Sequence, residues 1–255
     1  MSKPTVLVTR PAGQETALCR SLQAAGYRTV ACPMICIEPM LELSPPQRTI
    51  IHNLDQYQHV IFVSSNAVRF GMDCIADYWP QLPVDLNWYT VGEGSARQLA
   101  EFGVRVQRPL QQMTSEGLLE MDTLLNIDQH KVLIVKGEGG RDFLRSSLAQ
   151  RGALVQELAV YKRDKPDRSA GELFALIMDN DCRALMFSSG EGLHNMVSLL
   201  TEQESTLLQQ LSLVVPGERV AAMAREMGFT DLLVANNATD EAMIEALATG
   251  LPGGR

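Results

Sequence analysis

A chain that contains its own first half a second time must fold either as two like bodies or as one body built twice. Residues 6–116 of this protein recur at 132–241. Shifted by 126, Val6-Leu-Val-Thr-Arg10 lies on Val132-Leu-Ile-Val-Lys136, Leu18 on Leu144, Leu22 on Leu148 and Gly26 on Gly152. Shifted by 124, Ile61-Phe-Val-Ser-Ser65 lies on Leu185-Met-Phe-Ser-Ser189. Shifted by 125, Gly92-Glu93 lies on Gly217-Glu218, Ala96 on Ala221, Gly103 on Gly228 and Glu116 on Glu241. Each match alone is weak, since strands and helices resemble one another by default. A nearly constant offset over landmarks this far apart indicates tandem duplication.

Within the first copy, apolar runs alternate with stretches of helical period. Thr5–Thr9 reads as a strand, Gln14–Ala25 as a helix stopped by Gly26, Arg28–Cys32 as a strand, and Pro33–Pro39 as an extended apolar segment closed by proline. A helix over Pro46–Leu54 and a strand over Val60–Val63 follow. The cap cluster Ser64-Ser-Asn66 then opens a helix to Tyr78. Next come a strand over Asn87–Val91, a helix over Glu93–Phe102, a strand over Val104–Gln107 and a helix over Ser115–Leu125. Such alternation implies parallel sheets covered on both faces. Five strands and five helices per copy match a flavodoxin-like, doubly wound α/β sheet with order 2-1-3-4-5.

Two partitions of the chain fit this inventory. One sets two domains in series, divided near Asp128. The other crosses between bodies at Pro33–Pro39 and again at Tyr161–Pro166, where the apolar strand from Leu158 runs into charge with Tyr161 at the junction. Pro166 cannot donate to a ladder and keeps Lys165 out of helical dihedrals, so this segment leaves its sheet extended. In the exchanged arrangement one body is residues 1–37 plus 166–255, the other is 38–165, and Tyr161 overlooks a cleft between them. The pattern leaves both partitions open.

Composition narrows the function classes. Hydrophobic residues at 45% and charged residues at 20% describe a well-packed chain, neither disordered nor fibrous. No run approaches the ~18 apolar residues of a membrane span and the amino terminus has no signal-peptide core, so a cytoplasmic protein is expected, with no membrane partner. A net charge of −8 argues against nucleic acid, which needs a basic footprint. The five cysteines are scattered and read as free thiols, and Cys32/Cys36 lack the second pair or histidine of a zinc site, so no metal is expected.

In a doubly wound sheet, ligands meet the carboxyl ends of the strands, where helix N-termini present unpaired N–H groups. The residues there are Thr9-Arg10, Ser64-Ser65-Asn66, Gly92 with Ser95, Ser115, Lys136-Gly137 with Arg141, Ser188-Ser189, and Gly217. Taken singly, the Ser and Thr among them read as helix caps. As a set rich in hydroxyls and glycine and poor in titratable groups, they suit an anionic ligand held by backbone amides. Neither Gly-rich loop completes a dinucleotide fingerprint: Asp142 stands in the third-glycine position after Gly137, and Arg97 after Gly92. His52, His59, His130 and His194 fall in or beside expected helices or turns and form no His-x-x-x-His pair. Tyr161 is the best titratable candidate, a phenol able to give a proton; the plainer reading makes it an aromatic that packs the crossing.

The pieces Val6-Leu-Val-Thr-Arg-Pro11, Pro33-Met-Ile-Cys-Ile37, Phe62-Val-Ser-Ser-Asn-Ala-Val68, Thr90-Val-Gly92, Thr114-Ser-Glu116, Lys136-Gly137 to Gly140-Arg141, Val160-Tyr-Lys-Arg163 and Phe187-Ser-Ser189 together resemble the uroporphyrinogen-III synthase family. They span essentially the whole chain, and their order and spacing carry the likeness. Lys136 stands where the family commonly has arginine, which keeps the charge. The resemblance implies two flavodoxin-like domains exchanged as above and joined by two antiparallel linker strands. It implies a cofactor-independent lyase that cyclises hydroxymethylbilane, a linear tetrapyrrole, to uroporphyrinogen III with ring D inverted, through loss of the hydroxyl and a spiro intermediate. Tyr161 would assist the departing hydroxyl, and the strand-end residues, with Arg10, Lys136 and Arg141 adding charge, would hold the carboxylates. A monomer is expected. The rival reading is a two-lobed small-molecule binding or sensing module; a nucleotide-dependent enzyme is a third.

Overall fold

The computed structural model of the protein describes residues 3–110 and 112–251. The extreme ends of the first expected body, residues 1–2 and 252–255, lie outside them. In chain order the first half forms β1 (Thr5–Val8), α1 (Thr16–Ala24), β2 (Arg28–Ala31), β3 (Cys36–Pro39), α2 (Pro45–His52), β4 (His59–Phe62), α3 (Ser65–Ala76), β5 (Asn87–Thr90), α4 (Glu93–Ala100), β6 (Val106–Gln107) and α5 (Ser115–Leu119). The second half forms β7 (Lys131–Gly137), α6 (Phe143–Gln150), β8 (Leu154–Asp164), α7 (Ala170–Asp179), β9 (Cys182–Met186), α8 (Gly190–Ser198), α9 (Glu202–Leu208), β10 (Ser212–Val215), α10 (Glu218–Glu226), β11 (Leu232–Val234) and α11 (Asp240–Gly250). The chain divides into two compact units, Met1–Cys36 with Asp164–Arg255, and Ile37–Arg163. Among the described residues, no helix is long and apolar enough to cross a membrane.

The discontinuous unit holds a five-stranded sheet in the order β11-β10-β9-β1-β2. Read from the other edge this is the doubly wound order 2-1-3-4-5. Its central strand β1 pairs in parallel with β2 on one side and β9 on the other, Val6 opposite Ala184, Leu7 opposite Leu185 and Val8 opposite Met186. The first β-α-β piece of the chain is therefore built into the sheet of its last third, the exchanged arrangement. Burial on both faces explains why Val6, Leu7 and Val8 of β1 are all apolar. Val6 and Val8 pack with Leu18 and Leu22 on one face, while Leu7 packs with Leu173 and Leu185 on the other. At about 1.5–3 kcal/mol for each fully buried large side chain, a one-residue register slip would cost several such contacts.

The continuous unit holds a six-stranded sheet, β3-β8-β7-β4-β5-β6. Five of these strands repeat the 2-1-3-4-5 order, with β3 added at the β8 edge. Met40 N–H donates to Val160 O at 2.9 Å and Lys162 Nζ lies 2.9 Å from Glu38, so residue numbers run in opposite senses and β3 is antiparallel to β8. Both faces are again covered: Val60, Phe62 and Val135 belong to one apolar cluster, Ile61 and Ile134 to the other. The repeat survives in the backbone, for Gly26 and Gly152 end α1 and α6 with φ of 90° and 83°, the left-handed region that glycine enters without a Cβ penalty.

Two expectations from the sequence change. The helix expected over Ser115–Leu125 stops at Leu119 and resumes as a 3₁₀ turn at Asp122–Leu124. Met121 takes an extended ψ of 132°, which swings Leu124 back onto the cluster that also buries Leu118 and Leu119. His59, expected in or beside a helix or turn, opens β4 and is buried. Its Nδ1 lies 3.1 Å from Tyr89 Oη and its Nε2 2.9 Å from His130 Nδ1. Burial above all, and then the charge of His130, push its imidazole down to about 4. A strand opening with histidine misleads a pattern search because the polar partners that satisfy it come from β5 and from the turn before β7.

Candidate active site

In the continuous unit, the carboxyl ends of β4, β5 and β7 bring most of the expected site residues onto caps and loops. Ser64 caps α3, its Oγ accepting from Ala67 N–H at 3.1 Å, and Ser65 and Asn66 form the first turn. Gly92 caps α4 without a side chain, and buried Ser95 in its first turn meets Ser65 at 3.1 Å between hydroxyls. Thr114 caps α5 with Ser115 at its first position. After β7 the chain turns through Gly139 and Gly140, with φ of 68° and 88°, to Arg141.

Tyr161 reaches this region through a break in the ladder. Along β7 and β8, Lys136 faces Ala159 but Gly137 faces Tyr161, so Val160 is skipped. A β-bulge of this kind moves the following side chain to the opposite face. Tyr161 accordingly joins Leu158 and Val160 in the same apolar cluster instead of alternating with them. Its ring is 1% exposed, 6.0 Å from that of Phe70, and lies over Gly137, where a Cβ would come within 2.6 Å of ring atoms. Glycine at 137 is thus required by the ring. The phenol oxygen is 3.2 Å from Ser64 Oγ and 3.3 Å from Arg163 Nη2.

Beside the phenol opens a pocket of ≈ 360 Å³, within the range of ligand sites, whose lining includes Ser115, Lys136, Gly137, Arg141, Tyr161 and Arg163. Lys136 Nζ is 2.9 Å from Glu157 Oε1, a diagonal pair across β7 and β8 with both side chains partly buried. Arg141 is 83% exposed and 3.9 Å from Glu116, so little holds it in place. On the same rim, hydrogen bonds from Arg145 and then Ser146 hold the Asp142 carboxyl at about 2. Glu116 is drawn below the usual carboxylate range, chiefly by a backbone N–H and the Thr114 hydroxyl and least by Arg141. The pocket can therefore take up carboxylates on lysine, arginine and amides, with Tyr161 forming part of its wall.

In the discontinuous unit the expected residues again end strands, and two of them are committed to the fold. Thr9 is buried, donating its hydroxyl to Met186 O at 2.8 Å. Arg10 forms an ion pair with Asp240 and donates to Ala238 O at 2.8 Å, its side chain only 15% exposed. Half-buried Ser188 precedes Ser189, which caps α8 by accepting from Gly192 N–H at 3.2 Å, and Gly217 caps α10. Sequence reasoning gave Arg163 and Glu157 no individual role. The signal for Arg163 was its place two residues beyond Tyr161, on the same strand face; Glu157 was visible only once the β7–β8 register was known.

The family model described as Uroporphyrinogen-III synthase HemD matches residues 16–245. The chain is 32% identical over 246 residues to the uroporphyrinogen-III synthase of Salmonella typhimurium, covering 95% of this chain and 99% of that one. It is 30% identical over 249 residues to that of Escherichia coli, with the same coverage. Among solved structures, the fold resembles the uroporphyrinogen-III synthetase of Helicobacter pylori, with a TM-score of 0.61 at 16% identity over 98% of this chain and 99% of that one. It also resembles a mutant uroporphyrinogen III synthase of Thermus thermophilus, with a TM-score of 0.60 at 18% identity over 97% and 98%.

Proposed function

The chain belongs to the uroporphyrinogen-III synthase family, and from that premise we propose how its strand-end residues close hydroxymethylbilane to uroporphyrinogen III. The protein is an enzyme of tetrapyrrole biosynthesis, and the binding-module alternative is not favoured. Its reaction asks little of acid–base machinery. The electron-rich pyrrole next to the hydroxymethyl group pushes the hydroxyl out, and the resulting azafulvenium carbon is attacked by the substituted carbon of ring D to give a spiro intermediate. Closure at the wrong carbon competes, so the main contribution of the enzyme is to hold one pose.

In this reading Tyr161 gives its proton to the hydroxyl, which leaves as water; the proton lost when the macrocycle closes returns to the phenolate, and the balance is loss of one water. Carboxylates are gripped by amides and hydroxyls at Ser64, Ser65, Asn66, Gly92, Ser95, Ser115 and Gly137 and by Lys136 and Arg141; in the discontinuous unit Ser188, Ser189 and Gly217 offer amides and hydroxyls of the same kind. Thr9 and Arg10 shape their loop. The observation that carries the reading is the phenol turned by the bulge over Gly137 toward a pocket that also holds Lys136 and Arg141. Free thiols at Cys19, Cys32, Cys74 and Cys182 support a cytoplasmic setting, and we take the enzyme to act as a monomer.

The test is incubation with freshly made hydroxymethylbilane, oxidation and chromatography of the isomers. The protein is expected to yield type III, and Tyr161→Phe to lose up to about 10²-fold in kcat, at the low end of general acid catalysis because the substrate is already reactive. Full turnover with unchanged product in Tyr161→Phe would remove the acid role, whereas type I alone from the native protein would return the binding module.

A further inference from the structure

We propose that Arg163 is a positioning residue for the Tyr161 proton, fixing where the phenol hydrogen points and taking up the phenolate charge once that hydrogen has left. The inference rests on the reading of Tyr161 as proton donor and assigns a role to a side chain that reading does not use. The two residues lie two apart in β8, on one face of the strand. Arg163 Nη2 is 3.3 Å from Tyr161 Oη, and its guanidinium carbon is 5.7 Å from the centre of the Tyr161 ring. Both residues line the same pocket.

Donor and acceptor counting gives the geometry its direction. A phenol has one hydrogen and two lone pairs, and a guanidinium has hydrogens only, so Arg163 donates and fills one lone pair. Ser64 Oγ, 3.2 Å from the phenol, already accepts Ala67 N–H and keeps a hydrogen of its own. When Ser64 donates that hydrogen to Tyr161, both lone pairs of the phenol oxygen are filled. Its own hydrogen is then the one valence left for a group in the pocket, here a hydroxyl. In the step that follows, the Tyr161 O–H bond breaks as the substrate C–O bond breaks, the proton and the C–O electron pair leave as water, and the negative charge stays on an oxygen facing Arg163. A hydrogen bond from a cation is stronger to phenolate than to phenol, so the contact tightens as the reaction proceeds and lowers the barrier. Arg163 is exposed, which screens the effect and sets it at the small end of such interactions.

The experiment measures kcat and KM with freshly made hydroxymethylbilane for Arg163→Met, Arg163→Lys, Tyr161→Phe and the double variant Tyr161→Phe/Arg163→Met, each first checked for a native unfolding midpoint. We expect Arg163→Met to lower kcat about 10-fold with KM within about two-fold, and Arg163→Lys to recover most of the loss. In the Tyr161→Phe background, Arg163→Met should change nothing further. Normal kcat in Arg163→Met beside a slow Tyr161→Phe overturns the inference and leaves the Tyr161 reading standing; normal kcat in Tyr161→Phe overturns that reading itself. An equal loss from Arg163→Met in both backgrounds, or a rise in KM alone, also overturns the inference, because Arg163 would then act on the substrate directly. Should Arg163→Met fail to fold, Arg163→Gln carries the same comparison.

Discussion

Gly137→Ala tests the packing that places Tyr161, and its cost can be worked from the geometry. A Cβ at 137 would sit 2.6 Å from Tyr161 Cε2 and Cζ and 3.0 Å from its oxygen. Carbon atoms pack at about 3.5–4.0 Å, so the ring or the backbone must yield by about 1 Å. The ring has little room, being 1% exposed and backed by Phe70. Overpacking of this kind costs about 1–3 kcal/mol, and displacing the phenol by about 1 Å would also break its 3.2 Å contact with Ser64. We therefore expect Gly137→Ala to destabilise the continuous unit by about 2 kcal/mol and to cut kcat about as far as Tyr161→Phe does. Trp79 and Trp88 are the two tryptophans of the chain and both lie in this unit, so denaturant unfolding followed by tryptophan fluorescence reports on it. In a Tyr161→Ala background the added methyl meets no ring, and Gly137→Ala should then cost under about 0.5 kcal/mol, a coupling typical of residues in contact. Equal costs in both backgrounds, or none in either, would refute the bulge as the reason Tyr161 sits where it does.

Protonation of His59 should weaken the same unit in acid. With a folded pKa of about 4 against 6.5 in the unfolded chain, its contribution is fully present above pH 6.5 and is lost as pH falls from 6.5 to 4. At 1.36 kcal/mol per pH unit the loss is about 3 kcal/mol, and fluorescence-monitored unfolding of His59→Gln should show a correspondingly flatter pH dependence. Arg10→Gln and Asp240→Asn each break the same ion pair; each should lower the stability of the discontinuous unit by about 1–3 kcal/mol, and the double variant should cost less than their sum, whereas strict additivity in circular-dichroism melts would deny the pairing. Gly26→Ala should cost about 1–2 kcal/mol for its left-handed backbone alone, since its Cβ meets only the Lys3 chain, while at Gly152 the Cβ also collides with the Asp128 carboxylate and the loss in a melting experiment should be the larger of the two.

The duplication, the α/β class and the order 2-1-3-4-5 were legible in the residues, because strand burial on both faces leaves apolar runs such as Val6-Leu-Val8 and Val132-Leu-Ile-Val135, and these recur at a nearly constant offset between stretches of helical period. The strand-end site was legible as a set, since caps such as Ser64, Thr114 and Ser189 are written locally, three residues ahead of the N–H they accept. What each member does was not. Arg10 was expected to add charge for the carboxylates, and its ion pair is with Asp240, 230 positions away in sequence. Tyr161 looked like a residue at a crossing, yet the face it occupies depends on one skipped position in the β7–β8 ladder. Local pattern determines which segments are strands and helices and which ends carry caps, because those preferences act within a few residues. Which strands meet, in what register and on which side a bulge turns a phenol, is decided only when distant segments compete for the same buried volume, and that competition leaves no mark in any short stretch of sequence.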